Sequence, residues 1–179
     1  MWLGRNIGGM ESERQGSTTL RIGVTGHLDL TAATQRAVVD ALRRHLLGLG
    51  SPQDIVGVTC LARGADSLFA QVIIALGGRL EVIIPSVDYR QSQVTADHEA
   101  VFSEMLGRAA RVYQMPARQA SQEAYVAANQ VLLESINELV AVWDGEADGP
   151  AGGTADVVRT ARERAIPVAV VWPAGSERS

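Results

Sequence analysis

The residue types best suited to ligand chemistry lie in one stretch, residues 139–167 (LVAVWDGEADGPAGGTADVVRTARERAIP). Apolar residues of strand character run into Asp144, and a glycine- and proline-rich loop then leads to Gly152, Gly153 and Thr154 at the start of an amphipathic helix. A helix start offers unpaired N–H groups and the positive end of the helix dipole, and glycine lets a ligand approach the backbone. We therefore predict that Gly152, Gly153 and Thr154 contact a phosphate-like anion. The alternative is a plain turn in which Thr154 only caps the helix.

Two further polar turns follow predicted strands. Gly26 and His27 end the first strand, while Arg63, Gly64 and Asp66 join the second strand to a helix. The carboxyl ends of parallel strands meet at one edge of a sheet, so we predict that these residues and Asp144 belong to the same ligand site. Each also has a structural alternative: His27 as a buried histidine, Arg63 as a solvated side chain, and Asp66 as an acid favoured by the helix dipole.

Strands and helices alternate from residue 20 onward, which predicts an α/β fold. We expect a Rossmann-like, doubly wound, mainly parallel sheet of about six strands with helices on both faces. The predicted strands are 20–25, 54–60, 80–84, 110–114, 139–143 and 167–172. Four helices are predicted to end near residues 47, 76, 106 and 138, with Thr31, Thr95 and Ser121 as N-caps where a cap is evident. A fifth helix begins at Thr154.

The chain of 179 residues predicts one domain, residues 20–173, between a flexible N-terminal tail, residues 1–19, and a C-terminal tail, residues 174–179. The first segment lacks the continuous apolar region of a signal peptide, so we expect a cytoplasmic location. No apolar run approaches the roughly 18 residues of a membrane span, so no membrane partner is expected.

Charge and composition exclude several functions. The formal net charge of −4 makes nucleic acid an unlikely main partner. All 16 basic residues are arginine, which excludes a phosphate-binding P-loop lysine and any Schiff base. Cys60 is the single cysteine, and His27, His45 and His98 lack metal-ligand spacing. We therefore predict no metal site and no resident cofactor.

A dinucleotide-dependent dehydrogenase is also disfavoured. Residues 23–26 form a lone G-x-x-G that lacks the third glycine of the dinucleotide-binding fingerprint. The second strand ends in Cys60, where an acidic residue would bind the ribose of NAD.

Three of the turns together resemble the SLOG superfamily of Rossmann-like domains. They are GVTGHLDL (23–30), CLARGADSLFA (60–70), and WDG (143–145) followed by GGTADVV (152–158). That superfamily includes the cytokinin-activating phosphoribohydrolases and the DNA-processing proteins of natural transformation. The resemblance covers roughly residues 20–172 and implies a nucleotide or nucleotide-derived ligand. It also implies a possible homodimer, because relatives often pair through helices.

The chain departs from the phosphoribohydrolase pattern at one position. Val157 stands where those enzymes carry a catalytic glutamate, and Asp156 lies one residue early, a rotation of about 100 degrees on a helix. We therefore predict a ligand-binding protein that acts as a sensor or carrier. The alternative is hydrolysis of the N-glycosidic bond of a nucleoside monophosphate, with Asp144, Asp66 or Asp156 as the catalytic carboxylate. A non-catalytic interaction domain is the third possibility.

Overall fold

The computed structural model describes residues 19–146 and 149–179, so most of the predicted N-terminal tail lies outside the described residues. Six strands form one sheet in the order β4-β3-β2-β1-β5-β6, and all neighbouring strands are parallel. The strands are β1 Leu20–Gly26, β2 Ile55–Thr59, β3 Arg79–Ile84, β4 Arg111–Gln114, β5 Glu138–Val142 and β6 Val168–Val170. The helices are α1 Ala32–Leu49, α2 Ala65–Leu76, α3 Tyr89–Gln93, α4 Glu99–Arg108, α5 Gln122–Glu134 and α6 Thr154–Glu163. The predicted Rossmann-like α/β fold is confirmed.

Helices cover both faces of the sheet, which explains the continuously apolar central strands. On one face, Ile22 and Val24 of β1 are buried in a cluster with residues of α1, α2 and α4. On the other face, Leu139 and Ala141 of β5 are buried with residues of α5 and α6. The edge strand β4 is exposed along its whole length. No helix in the described part of the chain is long and apolar enough to cross a membrane.

Two of the predicted N-caps are confirmed, and two predicted boundaries are wrong. Thr31 and Ser121 accept backbone N–H groups at the starts of α1 and α5. Thr95 does not cap α4, because its carbonyl accepts the N–H groups of His98 and Glu99 in a turn that precedes the helix. Helix α5 ends at Glu134 instead of near residue 138, since residues 135–137 turn the chain into β5.

The order of the strands reverses between β1 and β5. The chain builds outward from β1 to β4 and then returns to the other side of β1, where β5 pairs with it in the register Gly26 to Val142. In doubly wound sheets, ligands bind beyond the carboxyl ends of the strands at this reversal. Gly26 is required there, since a Cβ at this position would lie 2.5 Å from the Cβ of Ala65 and 2.7 Å from the Val142 carbonyl oxygen.

Candidate ligand-binding site

A cleft of about 800 Å³ opens at the carboxyl edge of the sheet, beside the reversal between β1 and β5. This volume is typical of small-molecule sites, which span about 300–1,000 Å³. Its walls come from the turns after β1 and β2, from the α3 region, from α5 and from the loop before α6. The predicted site residues that line it are Gly26, His27, Arg63, Asp66, Gly152, Gly153 and Thr154.

Gly64 and Asp144 are not part of this lining, although they support residues that are. Gly64 is the N-cap of α2 and has a φ of 74°. A Cβ on Gly64 would lie 2.3 Å from the carbonyl oxygen of Leu28, so only glycine lets the two turns approach so closely. Gly64 lines a smaller neighbouring cavity of about 390 Å³. Asp144 stands behind His27 and contacts its ring.

At the start of α6, the backbone N–H groups of Gly152 and Gly153, which were predicted to contact an anion, already have acceptors within the protein. The Gly152 N–H donates to Oδ2 of Asp156 at 2.8 Å, and the Gly153 N–H donates to the Pro150 carbonyl at 3.0 Å. Gly153, not Thr154, is the N-cap, so Thr154 is the first helical residue. By helix geometry, the N–H groups of Thr154 and Ala155 have no intrahelical acceptor, and with the Thr154 hydroxyl they are the donors that this helix start can offer an anion.

Helix α5 supplies a wall of the cleft that the sequence did not predict. The side-chain amide of Gln122 donates to the Ala151 carbonyl at 3.2 Å, and that of Asn129 donates to the Gly152 carbonyl at 2.9 Å. These bonds fasten the glycine loop to α5. Tyr125 lies between the two amides on the same helix face and lines the cleft. The spacing i, i+3, i+7 of these three residues is the signal that could have revealed this wall.

Tyr125 forms an aromatic wall of the cleft with Tyr89 of α3. The two ring centroids are 6.3 Å apart and the rings are nearly perpendicular, a favourable edge-to-face arrangement. Tyr89 is buried, and Tyr125 is only partly buried, so its ring is accessible from the cleft.

His27 and Asp144 meet because β1 and β5 are neighbours in the sheet. Nε2 of His27 lies 3.0 Å from Oδ1 of Asp144, and Oδ2 of Asp144 lies 3.0 Å from Nε of Arg178. Burial raises the pKa of the Asp144 carboxyl, but the Glu146 N–H, His27 and Arg178 outweigh that effect and bring the pKa below its usual value. Asp144 therefore carries a negative charge at neutral pH. Its bond to the Glu146 N–H also forms an Asx turn.

Asp66 is a buried carboxyl in the first turn of α2. Its Oδ2 accepts the hydroxyl of Thr59 at 2.9 Å and the N–H of Cys60 at 3.1 Å. Burial raises the pKa of Asp66 to about 6, and hydrogen bonds from Thr59 and from the backbone of Ala62, Cys60 and Leu61 offset only part of that rise. A cleft carboxyl with this pKa can both accept and donate a proton near neutral pH.

The raised pKa of Asp66 predicts how stability depends on pH. The folded protein binds this proton up to pH about 6, whereas the unfolded chain releases it near the usual pKa of 3.8. The free energy of unfolding should therefore fall as pH rises from about 4 to about 6, by up to about 3 kcal/mol. Urea unfolding across this range, in the wild type and in Asp66→Asn, measures the effect. The variant should lack this fall, and an identical pH dependence in both proteins would contradict the assignment.

Arg63 and Cys60 complete the polar lining near α2. Arg63 forms an ion pair of 2.7 Å with Asp29, and both side chains are nearly half exposed. Arg63 can therefore turn toward a ligand at little cost, because exposed ion pairs contribute about 0–1 kcal/mol. Burial raises the pKa of the Cys60 thiol, so it stays protonated and is no nucleophile. Within residues 19–146 and 149–179, no group of three or more His, Cys, Asp and Glu side chains could hold a metal ion.

Of the three carboxylates considered for catalysis, Asp66 alone lines the cleft. Asp156 accepts the Gly152 N–H and pairs with Arg159, which together bring its pKa below the usual value despite partial burial. Asp144 contacts His27 and Arg178 behind the cleft wall. All three carboxylates have local hydrogen-bond or ion-pair partners, and Asp66 is the one of the three that borders the cleft.

Solved structures with the same fold are similar to the chain. DNA processing protein A (DprA) from Streptococcus pneumoniae superposes with a TM-score of 0.62 at 14% identity, over 86% of this chain and 50% of that one. DprA from Helicobacter pylori, which binds single-stranded DNA, gives 0.62 at 17% identity over 86% and 65% of the two chains. The molybdenum cofactor binding protein from Rippkaea orientalis gives 0.54 at 17% identity over 85% and 76%.

These structural similarities concern the fold of the chain. The chain has the same Rossmann-like fold as these proteins, which is the fold that the resemblance of its three turn motifs implied. It spans only 50% and 65% of the two DprA chains, so it corresponds to a part of those proteins. No family model matches the chain, and no curated protein matches it.

Proposed function

We propose that the protein binds a nucleotide or nucleotide-derived small molecule in the cleft and acts as its sensor or carrier. The start of α6 carries this proposal. Thr154 lines a cleft of about 800 Å³ at the strand-order reversal, and its hydroxyl and N–H, with the N–H of Ala155, form an anion site at the positive end of a helix dipole. A phosphate group of the ligand binds there.

The α5 wall, beside the glycine loop, suits a planar ring. Tyr125 is accessible from the cleft and is held by its edge-to-face contact with Tyr89. Aromatic side chains provide a flat apolar surface on which bases stack, at about 1–3 kcal/mol per base. An anion site and an aromatic surface within one cleft are the two features that a nucleotide requires.

The charge of the lining favours a ligand with few phosphates. Among the described residues that line the cleft, Arg63 is the only arginine. Oligonucleotide binding relies on several arginines or lysines that follow the phosphate backbone. The single arginine of this lining does not form such a row of positive charges. The DprA of H. pylori binds single-stranded DNA, whereas the R. orientalis protein binds the molybdenum cofactor. We place this chain with binders of small molecules, not of nucleic acid.

A thermal-shift panel of nucleoside monophosphates, diphosphates and sugar phosphates tests the proposal, with a single-stranded oligonucleotide as a further ligand. A ligand at about a hundred times its dissociation constant adds about 2.7 kcal/mol to stability, which is visible in the melting temperature. We expect stabilisation by a monophosphate and recovery of that ligand intact by chromatography. Stabilisation by the oligonucleotide alone would contradict the proposal and favour nucleic-acid binding. Stabilisation by no compound would also contradict the proposal and would favour an interaction domain.

Hydrolysis of an N-glycosidic bond is the second candidate, and the position of Asp66 favours it. A cleft carboxyl with a pKa of about 6 can protonate a departing base and, once ionised, stabilise a cationic sugar. Free base in the chromatographic assay would establish this activity. It should then disappear in Asp66→Asn and persist in Asp156→Asn, because Asp156 is not part of the cleft lining. Activity that survives in Asp66→Asn would exclude this mechanism.

A further inference from the structure

The smaller cavity of about 390 Å³ beside the cleft has a lining of its own. It lies between the turn after β1, the first half of α2 and the start of α4. Its volume is within the range of about 300–1,000 Å³ that is typical of small-molecule sites. Of its lining residues, Leu28 and Arg63 also line the cleft, whereas Thr154 belongs to the cleft alone. This side cavity is therefore a compartment next to the anion site and not a part of it.

The floor of the side cavity is a buried polar contact between α2 and α4. Ser67 and His98 are both buried, and the Ser67 hydroxyl lies 2.7 Å from Nε2 of His98. The same hydroxyl donates to the Ala62 carbonyl at 2.7 Å. The hydroxyl and Nε2 thus have partners within the protein, and buried hydrogen bonds of this kind hold their surroundings rigid. The floor of the side cavity therefore keeps its shape without a ligand.

Charged side chains of both signs lie at the exposed part of the side cavity. Asp29 pairs with Arg63 at 2.7 Å, and Asp97 is exposed. Hydrogen bonds from Thr95 and from its own backbone N–H hold the pKa of Asp97 below its usual value, and the charge of Arg63 adds to this effect. Burial lowers the pKa of His98, so its ring is uncharged at neutral pH. In the described part of the chain, the lining side chains thus carry two negative charges and one positive charge.

Two glutamine side chains and an apolar surface complete the lining. Gln35 donates through Nε2 to the Leu30 carbonyl at 2.9 Å, which leaves its Oε1 as an acceptor. Gln71 lines the side cavity from α2, and its amide can both donate and accept. Leu68 and Val101 supply apolar surface. An apolar surface with a few polar groups around it is the usual composition of a small-molecule site.

The types of donor and acceptor determine which ligand suits the side cavity. Carboxylates only accept hydrogen bonds and a guanidinium only donates them, whereas a hydroxyl does both. A phosphate group would face the carboxylates of Asp29 and Asp97, and an ammonium group could not accept a hydrogen bond from Arg63. Neighbouring hydroxyls of an uncharged molecule satisfy both kinds of group at once. They can also replace the contact between Asp29 and Arg63 at little cost, because an exposed ion pair contributes little stability.

We propose that the side cavity binds an uncharged, hydroxyl-rich group, namely a sugar ring or a cyclic polyol. Its hydroxyls donate to the two carboxylates and accept from Arg63 and Gln71, while a C–H face of the ring packs against Leu68 and Val101. This inference goes beyond the proposed function, because the side cavity does not include the start of α6. A sugar can bind here whether or not a nucleotide binds at Thr154.

NMR of the ¹⁵N-labelled protein tests the inference, with millimolar glucose, ribose and myo-inositol as probes. We expect at least one of them to shift the side-chain amide of Gln71 and the backbone amides of Leu68 and Val101. Inorganic phosphate and methylammonium, at the same concentrations, should leave these three signals unchanged. Shifts with methylammonium or phosphate and with none of the three polyols would overturn the class of ligand. No shift with any probe would overturn the inference.

Two variants of the side cavity and one control locate the bound probe. Gln71→Leu removes the amide and should weaken binding of the best probe about fivefold, the effect of one hydrogen bond. Val101→Phe should abolish binding, because the larger side chain occupies the cavity. Gln130→Leu is the matched control, since Gln130 is exposed on α5 and lines neither space. Wild-type affinity in both cavity variants, or an equal loss in Gln130→Leu, would overturn the assignment.

Discussion

Alanine in place of Gly64 lowers the free energy of unfolding by about 3 kcal/mol. Gly64 has a φ of 74°, which side-chain-bearing residues rarely adopt, and this strain alone costs about 1–3 kcal/mol. The new Cβ would also lie 2.3 Å from the Leu28 carbonyl oxygen and 2.5 Å from that of His27. Both contacts are with backbone, so the turns after β1 and β2 must separate, at a cost typical of overpacking. Urea unfolding measures the difference.

Gly48→Ala is the matched control for this substitution. Gly48 lies in α1, is exposed, and a Cβ there would meet nothing within 4 Å. Alanine is a better helix former than glycine, so Gly48→Ala should be neutral or should stabilise by up to about 1 kcal/mol. Equal stability of the Gly64→Ala protein and the wild type would show that the two turns do not need this close approach.

Aspartate in place of Gly153 abolishes ligand binding, and asparagine does not. Gly153 is the N-cap of α6, a position where both Asp and Asn are favoured, so both variants should keep the helix. The new Cβ would lie 3.0 Å from the Pro150 carbonyl oxygen, and the loop must move equally in both. Only Asp adds a negative charge. At about 4 Å from a phosphate and an effective dielectric constant of about 20, that charge costs about 4 kcal/mol, or about a thousandfold in affinity.

Calorimetric titration of the monophosphate that stabilises the wild type measures this pair. The Asn variant should bind within about one order of magnitude of the wild type, since loop movement is the only change that it introduces. Equal affinities of the Asp and Asn variants would place the phosphate away from α6. Loss of binding in both would mean that loop geometry, rather than charge, determines affinity at this position.

The sequence predicted those parts of the site that follow from the order of strands, turns and helices along the chain. Alternating apolar strands and amphipathic helices require a parallel sheet, and in such a sheet every turn after a strand reaches the same edge. This is why the amino-acid sequence alone predicts that Gly26, Arg63 and Thr154, which are distant along the chain, lie at one site. The three turn motifs indicated the SLOG-type fold for the same reason, because each motif lies directly after a strand.

The parts of the site that the sequence did not predict depend on contacts between distant elements. The pairing of His27 with Asp144 requires β1 and β5 to be neighbours, and alternation alone does not determine which strands are adjacent. Arg178 reaches Asp144 from the segment after β6. The α5 wall was not predicted because the helical pattern around Gln122 and Asn129 does not indicate which loop the polar face of that helix contacts.

Amide NMR of the ¹⁵N-labelled protein with each of the four common nucleoside 5′-monophosphates tests the central claim most directly. It reports where a ligand binds without assuming which base is preferred. We predict that at least one of them shifts the amides of Thr154 and Ala155 together with those near Tyr125, and that these shifts vanish in Gly153→Asp. Shifts confined to the amino edge of the sheet, around Arg21 and Gly78, or no shifts with any of the four, would contradict the account.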